Sequence, residues 1–122
     1  MDSRPQSLKE VAERILAGSS AGFALRNFLD EFYLEPRLEM LLEEPPKTGV
    51  RVTDCYLAAT ADELGTTFFG KVPRWASSSE RTLEEPHFGF NTPLGRAYAL
   101  IATPGPFRQR NLFIGEDALK RA

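Results

Sequence analysis

An all-α fold, one domain spanning residues 1–122 with five to six helices of 8–17 residues, is predicted by three observations. Apolar residues recur at three- and four-residue spacing in several stretches. Capping residues and Gly, Pro or Ser breakers bracket those stretches. With 42% hydrophobic and 26% charged residues in 122, the chain can bury a core without disulfides or a structural metal, hiding roughly 13,000 Å² on folding.

Ser7 and Glu10 form a Ser-x-x-Glu capping box ahead of Leu8, Val11, Ala12, Ile15 and Leu16, which make one apolar stripe. Gly18-Ser19-Ser20 ends this first helix. A second helix is predicted from Ala21 to Leu34, with Leu25, Phe28, Leu29 and Phe32 as its stripe and Phe23, Tyr33 and Leu34 widening it. So broad an aromatic face calls for burial on more than one side. Pro36 breaks the helix, and Arg37–Glu44 continues it briefly with Leu38, Leu41 and Leu42 inward. Pro45-Pro46-Lys47-Thr48-Gly49 is a loop.

Thr53 or Asp54 is the expected N-cap of the next helix, whose seam is Leu57, Ala61, Leu64 and Phe68. Ala58, Ala59 and Ala61 allow a neighbour to approach closely, and Gly65 or Gly70 ends the helix. Residues 71–92 form a long irregular loop with a short helix over Ser79–Leu83, pinned by Trp75, Phe88 and Phe90. Thr92-Pro93 is a cap followed by proline at the first helical position, and Leu94, Tyr98 and Ile101 mark a helix to about Ala102. Thr103-Pro104-Gly105-Pro106 stops it. Phe107–Arg110 makes one turn, Asn111–Ile114 is a minimal extended segment, and Ala118–Arg121 is a last short helix.

The net charge of −2 conceals a gradient. Residues 1–50 carry six basic and nine acidic side chains, residues 51–85 four and six, and residues 86–122 five and two. A protein built to wrap nucleic acid needs a larger positive excess, so the net charge disfavours that partner. No stretch is apolar enough to span a membrane and the N-terminus has no secretory pattern, so the expected localisation is cytoplasmic. One cysteine and one histidine exclude a disulfide framework and argue against a zinc site, and no metal or cofactor is expected.

Catalytic signals are sparse. Cys55 near a helix start favours a thiolate, and His87 is the one base of its kind available to it. The bland reading is a small buried thiol and a loop histidine. Glu43-Glu44, Asp62-Glu63, Glu84-Glu85 and Glu116-Asp117 are adjacent on the chain, so their carboxylates diverge unless the fold gathers them. Phosphate-cradling motifs are absent. A helix-turn-helix around Gly65 would place Gly70 and Pro73 inside its recognition helix, which Pro73 cannot join.

The sharpest cluster is Phe107-Arg108-Gln109-Arg110-Asn111-Leu112-Phe113-Ile114, with Arg96 upstream. Aromatic anchors on either side of Arg108 and Arg110 would present guanidinium forks to a carboxylate or phosphate. Equally, these arginines could pair with the chain's own acidic helices.

Trp75, then Pro106 to Ile114, then Asp117-Ala118-Leu119, resembles a pattern in small bacterial proteins of toxin–antitoxin type operons and in segments appended to helix-turn-helix regulators. The resemblance covers about residues 50–122. It implies a helical, non-catalytic protein that binds a cognate partner and modulates expression, and it supplies no catalytic residue. Without a DNA-reading module, direct DNA binding does not follow from it. The expected function is therefore a protein–protein interaction module, an antitoxin or regulatory companion masking a cognate protein such as a toxin. Its expected partner-binding residues are Arg96, Phe107, Arg108, Arg110, Phe113, Phe28 and Phe32. The alternatives are a homodimer, a nucleic-acid-binding regulator using Arg96, Arg108, Arg110, Lys120 and Arg121, and a small enzyme gathering His87, Cys55 or Tyr98 with a carboxylate.

Overall fold

In the computed structural model of the protein, residues 3–121 are described, and Ser7 opens the first helix as its spacing predicts. α1 (Leu8–Leu16) begins where the Ser7 hydroxyl accepts from Glu10 N at 3.1 Å. The Glu10 carboxylate closes the turn on Gln6 N at 3.1 Å, one residue earlier than a standard capping box. Ser20 caps α2 (Ala21–Leu34) by accepting from Phe23 N at 3.2 Å. Ala24, Phe28, Leu29 and Phe32 face the core. After Pro36 only one helical turn forms, α3 (Glu39–Leu42), and it buries Met40 and Leu41 while Leu42 turns outward.

The central element is α4 (Arg51–Phe69), 19 residues long. It starts ahead of the expected caps, on Val50, which offers no side-chain cap. Asp54 serves the preceding loop instead. Its Oδ1 accepts from Thr48 N and from Thr48 Oγ1, both at 2.8 Å. Ala58, Ala59 and Ala61 have no exposed surface, so neighbours reach the helix backbone closely. The helix runs straight through Gly65 and ends at Gly70, whose φ of 66° is the left-handed cap that glycine adopts most easily. Gly65 is needed for another reason. A Cβ there would drive into the Lys71 carbonyl oxygen as the chain turns back over the helix. A helix-turn-helix at Gly65 is thereby excluded, because the helix does not turn there.

Residues 71–92 are more ordered than their composition predicts. Two 3₁₀ turns, Arg74–Ser77 and Ser79–Arg81, precede β1 (His87–Phe88). The Trp75 indole N–H donates to Leu41 O at 2.9 Å and pins the segment to α3. β1 pairs in parallel with β2 (Leu112–Phe113), His87 opposite Leu112 and Phe88 opposite Phe113. This minimal ladder is the only sheet among the described residues, so the fold is mainly α.

Thr92 caps α5 (Pro93–Ala102) by accepting from Gly95 N at 3.0 Å. A single turn, α6 (Gly105–Arg108), follows. Asn111 takes φ of 64°, rare outside glycine, and its Nδ2 holds Leu83 O at 2.7 Å. The expected helix over Ala118–Arg121 does not form, and residues 116–119 make turns. That segment is fixed by two phenols: Tyr56 Oη donates to Ala118 O at 3.1 Å and Tyr33 Oη to Leu119 O at 2.7 Å. No helix among the described residues is long and apolar enough to cross a membrane.

Candidate interaction surface

Two arginines lie inside the protein and hold its irregular parts. Arg81 has no exposed surface. Its Nη2 donates to Pro45 O at 2.6 Å and Glu44 Oε2 at 3.3 Å, and its Nη1 to Asp54 O at 3.3 Å. The guanidinium carbon stands 4.8 Å from the centre of the Trp75 ring, a cation–π contact. Arg110 is organised the same way. Nη1 donates to Asp62 Oδ2 at 2.9 Å and Pro106 O at 2.8 Å, and Nη2 to Ala76 O at 2.7 Å. Planar forks suit this work because several carbonyls converge on one group.

These placements divide the residues expected to meet a partner. Arg110 faces inward and binds the chain's own α4 and 3₁₀ segment, so it is corrected from a partner contact to an internal tie. Phe28, Phe32 and Phe107 have no exposed surface and belong to the core. Phe107 packs edge-on against Tyr56 with ring centres 5.1 Å apart. Phe113 is half-buried, stacked on Phe88 at 5.2 Å. Arg96 and Arg108 remain exposed. Arg96 lies over the Phe88 ring at 5.4 Å and donates to Phe90 O at 3.3 Å.

The proposed basic set does not form one face of free cations. Besides Arg110, Arg121 is bound by Asp30 through contacts of 2.8 and 3.1 Å, and Lys120 by Asp117 at 3.1 Å. The Asp30 carboxyl is lowered from its ordinary value chiefly by its hydrogen bond from Arg121. The nucleophile pattern does not assemble either. Cys55 is fully buried in α4, and burial pushes its thiol up, overriding the lowering contact with Arg51. His87 lies exposed in β1. Neither they nor Tyr98 line the three described hollows. Among the described residues, no group of three or more His, Cys, Asp or Glu is placed to hold a metal.

No protein-family model, curated protein or solved structure matches the chain.

What stands open to a partner is apolar. At the C-terminal ends of α2 and α4, Leu34 is 74% exposed and Phe68 43%. The rings of Tyr33 and Phe68 lie 6.0 Å apart, and Phe68 rests edge-on against buried Phe32 at 5.2 Å. Tyr33 and Phe68, with Leu64, Thr67, Pro104 and Leu119, line a hollow of about 490 Å³. Glu63, Glu116, Lys120 and Arg121 complete its wall. This is the outward remainder of the broad aromatic face read on the second helix. The burial of Phe28 and Phe32 fixes the rings that do emerge.

The second apolar surface is α5. Of Leu94, Tyr98 and Ile101, the residues whose spacing marks the helix, Leu94 and Ile101 point to solvent, Tyr98 is part-exposed with its ring edge-on against Phe90 at 5.7 Å, and only Ala99 is buried within the helix. Sequence periodicity identifies the helix but not which side faces the core. Gly95, Ala99 and Thr103, four residues apart on the opposite side, are the signal that decides it.

Proposed function

We propose that this chain is a non-catalytic protein–protein interaction module, an antitoxin-like or regulatory companion that receives a cognate protein at the open end of α2 and α4. The observation that carries the reading is the aromatic hollow walled by Tyr33 and Phe68, with Leu34 standing clear beside it. Rigid rings anchored in a core make a preformed pocket for one apolar side chain of a partner. Such desolvated pockets concentrate binding energy at protein interfaces. The mixed charges around it, Glu63 and Glu116 against Lys120 and Arg121, would set orientation more than affinity. The resemblance over about residues 50–122 to small bacterial proteins of toxin–antitoxin type operons supports the same class of function. In this reading Arg108 offers a second, polar contact, and Arg110 acts only by holding the backbone that presents it.

The test uses the full chain and the protein that co-purifies with it from its native cell, identified by mass spectrometry and then titrated as a pure component. Leu34→Glu with Thr67→Glu changes two exposed positions and leaves Phe32 and Tyr33 in place. The double variant is expected to bind at least tenfold more weakly at unchanged melting temperature. Undiminished binding overturns the assignment of this face.

A further inference from the structure

Helix α5 is built with its small residues inside and its large ones outside. Ala99 has no exposed surface, and Thr103, just past the helix end, is buried and accepts from Gly115 N at 2.8 Å. Gly95 sits where an added Cβ would come within 2.8 Å of Phe90 Cβ. These three positions let the helix lie close on the chain beneath it. The other side carries Leu94, Ala97, Tyr98 and Ile101 at offsets 0, 3, 4 and 7, with Leu100 beside them. Leu94 is 82% exposed, Ile101 83%, Leu100 50% and Tyr98 41%. Arg96 is the single charged residue of the helix. It lies off this face, drawn back over the Phe88 ring.

We propose that this face packs against the same helix of a second copy of the chain, antiparallel, about a two-fold axis passing between Ala97 and Tyr98. The stripe is symmetric about that point. Leu94 meets Ile101 of the second copy at each end. Ala97, the one small position in the stripe, meets the exposed side of Tyr98, whose ring is held edge-on against Phe90 of its own chain at 5.7 Å. Small against large is what close helix packing requires. Close to the two-fold axis a side chain lies near its own image, so a charge there would be repelled by its copy. No charge lies there, because Arg96 is turned away. Antiparallel pairing also sets the two helix dipoles head to tail.

The area fits a weak pairing of copies. The strip exposes on the order of 400–500 Å², within the range of the largest apolar patch on a typical monomer, which is often functional. Two facing strips bury about 900 Å² in total, the scale of a weak, reversible dimer and below that of an obligate one. The proposal involves a different surface from the α2–α4 hollow, so either can fail alone. A dimer through α5 would leave both hollows open to cognate proteins.

Sedimentation equilibrium of the full chain from 1 to 500 µM is expected to show a monomer–dimer equilibrium with a midpoint in the micromolar range. Leu94→Glu with Ile101→Glu, both exposed, is expected to abolish the dimer at unchanged helicity and melting temperature. Cross-linking fixes the geometry. Ala97→Cys, next to the axis, is expected to form an intermolecular disulfide on mild oxidation, and buried Cys55 does not compete. Leu94→Cys, displaced from its own image, is expected not to link, and Leu34→Cys likewise. A chain monomeric at 500 µM overturns the proposal. So does a dimer that survives the double Glu variant, or one that links through Leu94→Cys or Leu34→Cys in preference to Ala97→Cys. If the face instead seats the cognate protein, the isolated chain stays monomeric and the double Glu variant loses that protein, which also overturns it.

Discussion

The Arg110 guanidinium meets the Asp62 carboxylate at 2.9 Å, with side chains only 6% and 13% exposed. The pair joins α4 to the turn after α6. Two backbone carbonyls, of Pro106 and Ala76, accept from the same guanidinium. Removing one member of such a pair strands the other away from water. Arg110→Ala is therefore expected to cost about 3–5 kcal/mol of stability. Arg110→Lys should recover little, because an ammonium cannot span three acceptors in a planar fork. Arg108→Ala, on the exposed neighbour, should stay within about 0.5 kcal/mol. Urea unfolding of the three variants checks the ranking, and similar losses for Arg108 and Arg110 would contradict it.

Trp75 and Arg81 make a second, separate tie. The indole N–H reaches Leu41 O, and the ring faces the buried guanidinium. Trp75→Phe leaves a buried carbonyl without its donor and is expected to cost about 1–3 kcal/mol. Arg81→Met keeps volume and removes a buried charge that one half-exposed carboxylate, Glu44, balances. Both substitutions strand the buried carbonyls of Pro45 and Asp54, but methionine refills the volume, so Arg81→Met should be milder than Arg81→Ala, which also opens a cavity. Calorimetric melting of the three proteins decides this, and equal melting points for the two Arg81 variants would refute it.

The contrast between these ties and the helices explains what could be read from the chain. The Ser7 cap, the Ala21–Leu34 helix and the Thr92-Pro93 start are local: each needs residues within about one turn, and each forms where its spacing places it. Arg81 and Arg110 act across 27 to 36 residues on backbone carbonyls that carry no side-chain signature, and Arg110 reaches the Asp62 carboxylate across 48. Arg110 therefore read as a surface fork. Asp54 resembled a cap because caps and loop ties use the same carboxylate chemistry. The α5 stripe was visible, but its direction depended on which side found a partner within the chain.

Gly65 tests the close return of the chain over α4. It lies mid-helix, where alanine ordinarily stabilises by about 1 kcal/mol. Here the added methyl would collide with the Lys71 carbonyl, a backbone atom that cannot swing aside. Gly65→Ala is expected to cost about 1–3 kcal/mol. Gly105→Ala, with open space around its position in α6, serves as the control and should be neutral or slightly stabilising. A Gly65→Ala protein as stable as Gly105→Ala would mean that residues 70–72 do not pack as described.

Alkaline pH should loosen the C-terminal segment through Tyr56. Burial first, and then the neighbouring Tyr33, raise its phenol from 10.0 to about 12. Tyr33 moves in the same direction, again through burial. Below pH 10 both the folded and the unfolded chain keep the Tyr56 proton, and stability does not depend on it. Between about pH 10 and 12 the unfolded chain releases the proton while the folded one retains it. Stability then falls as pH rises, by about 2–3 kcal/mol when the loss is complete. Tyr56→Phe removes the hydrogen bond to Ala118 O and should cost about 1 kcal/mol at pH 8. It should also flatten the alkaline decline relative to the parent. Urea midpoints at pH 8, 9.5 and 11 for both proteins isolate this group from the lysines, which titrate equally in each. Parallel declines in the two proteins would show that the Tyr56 proton is not the one that the fold protects.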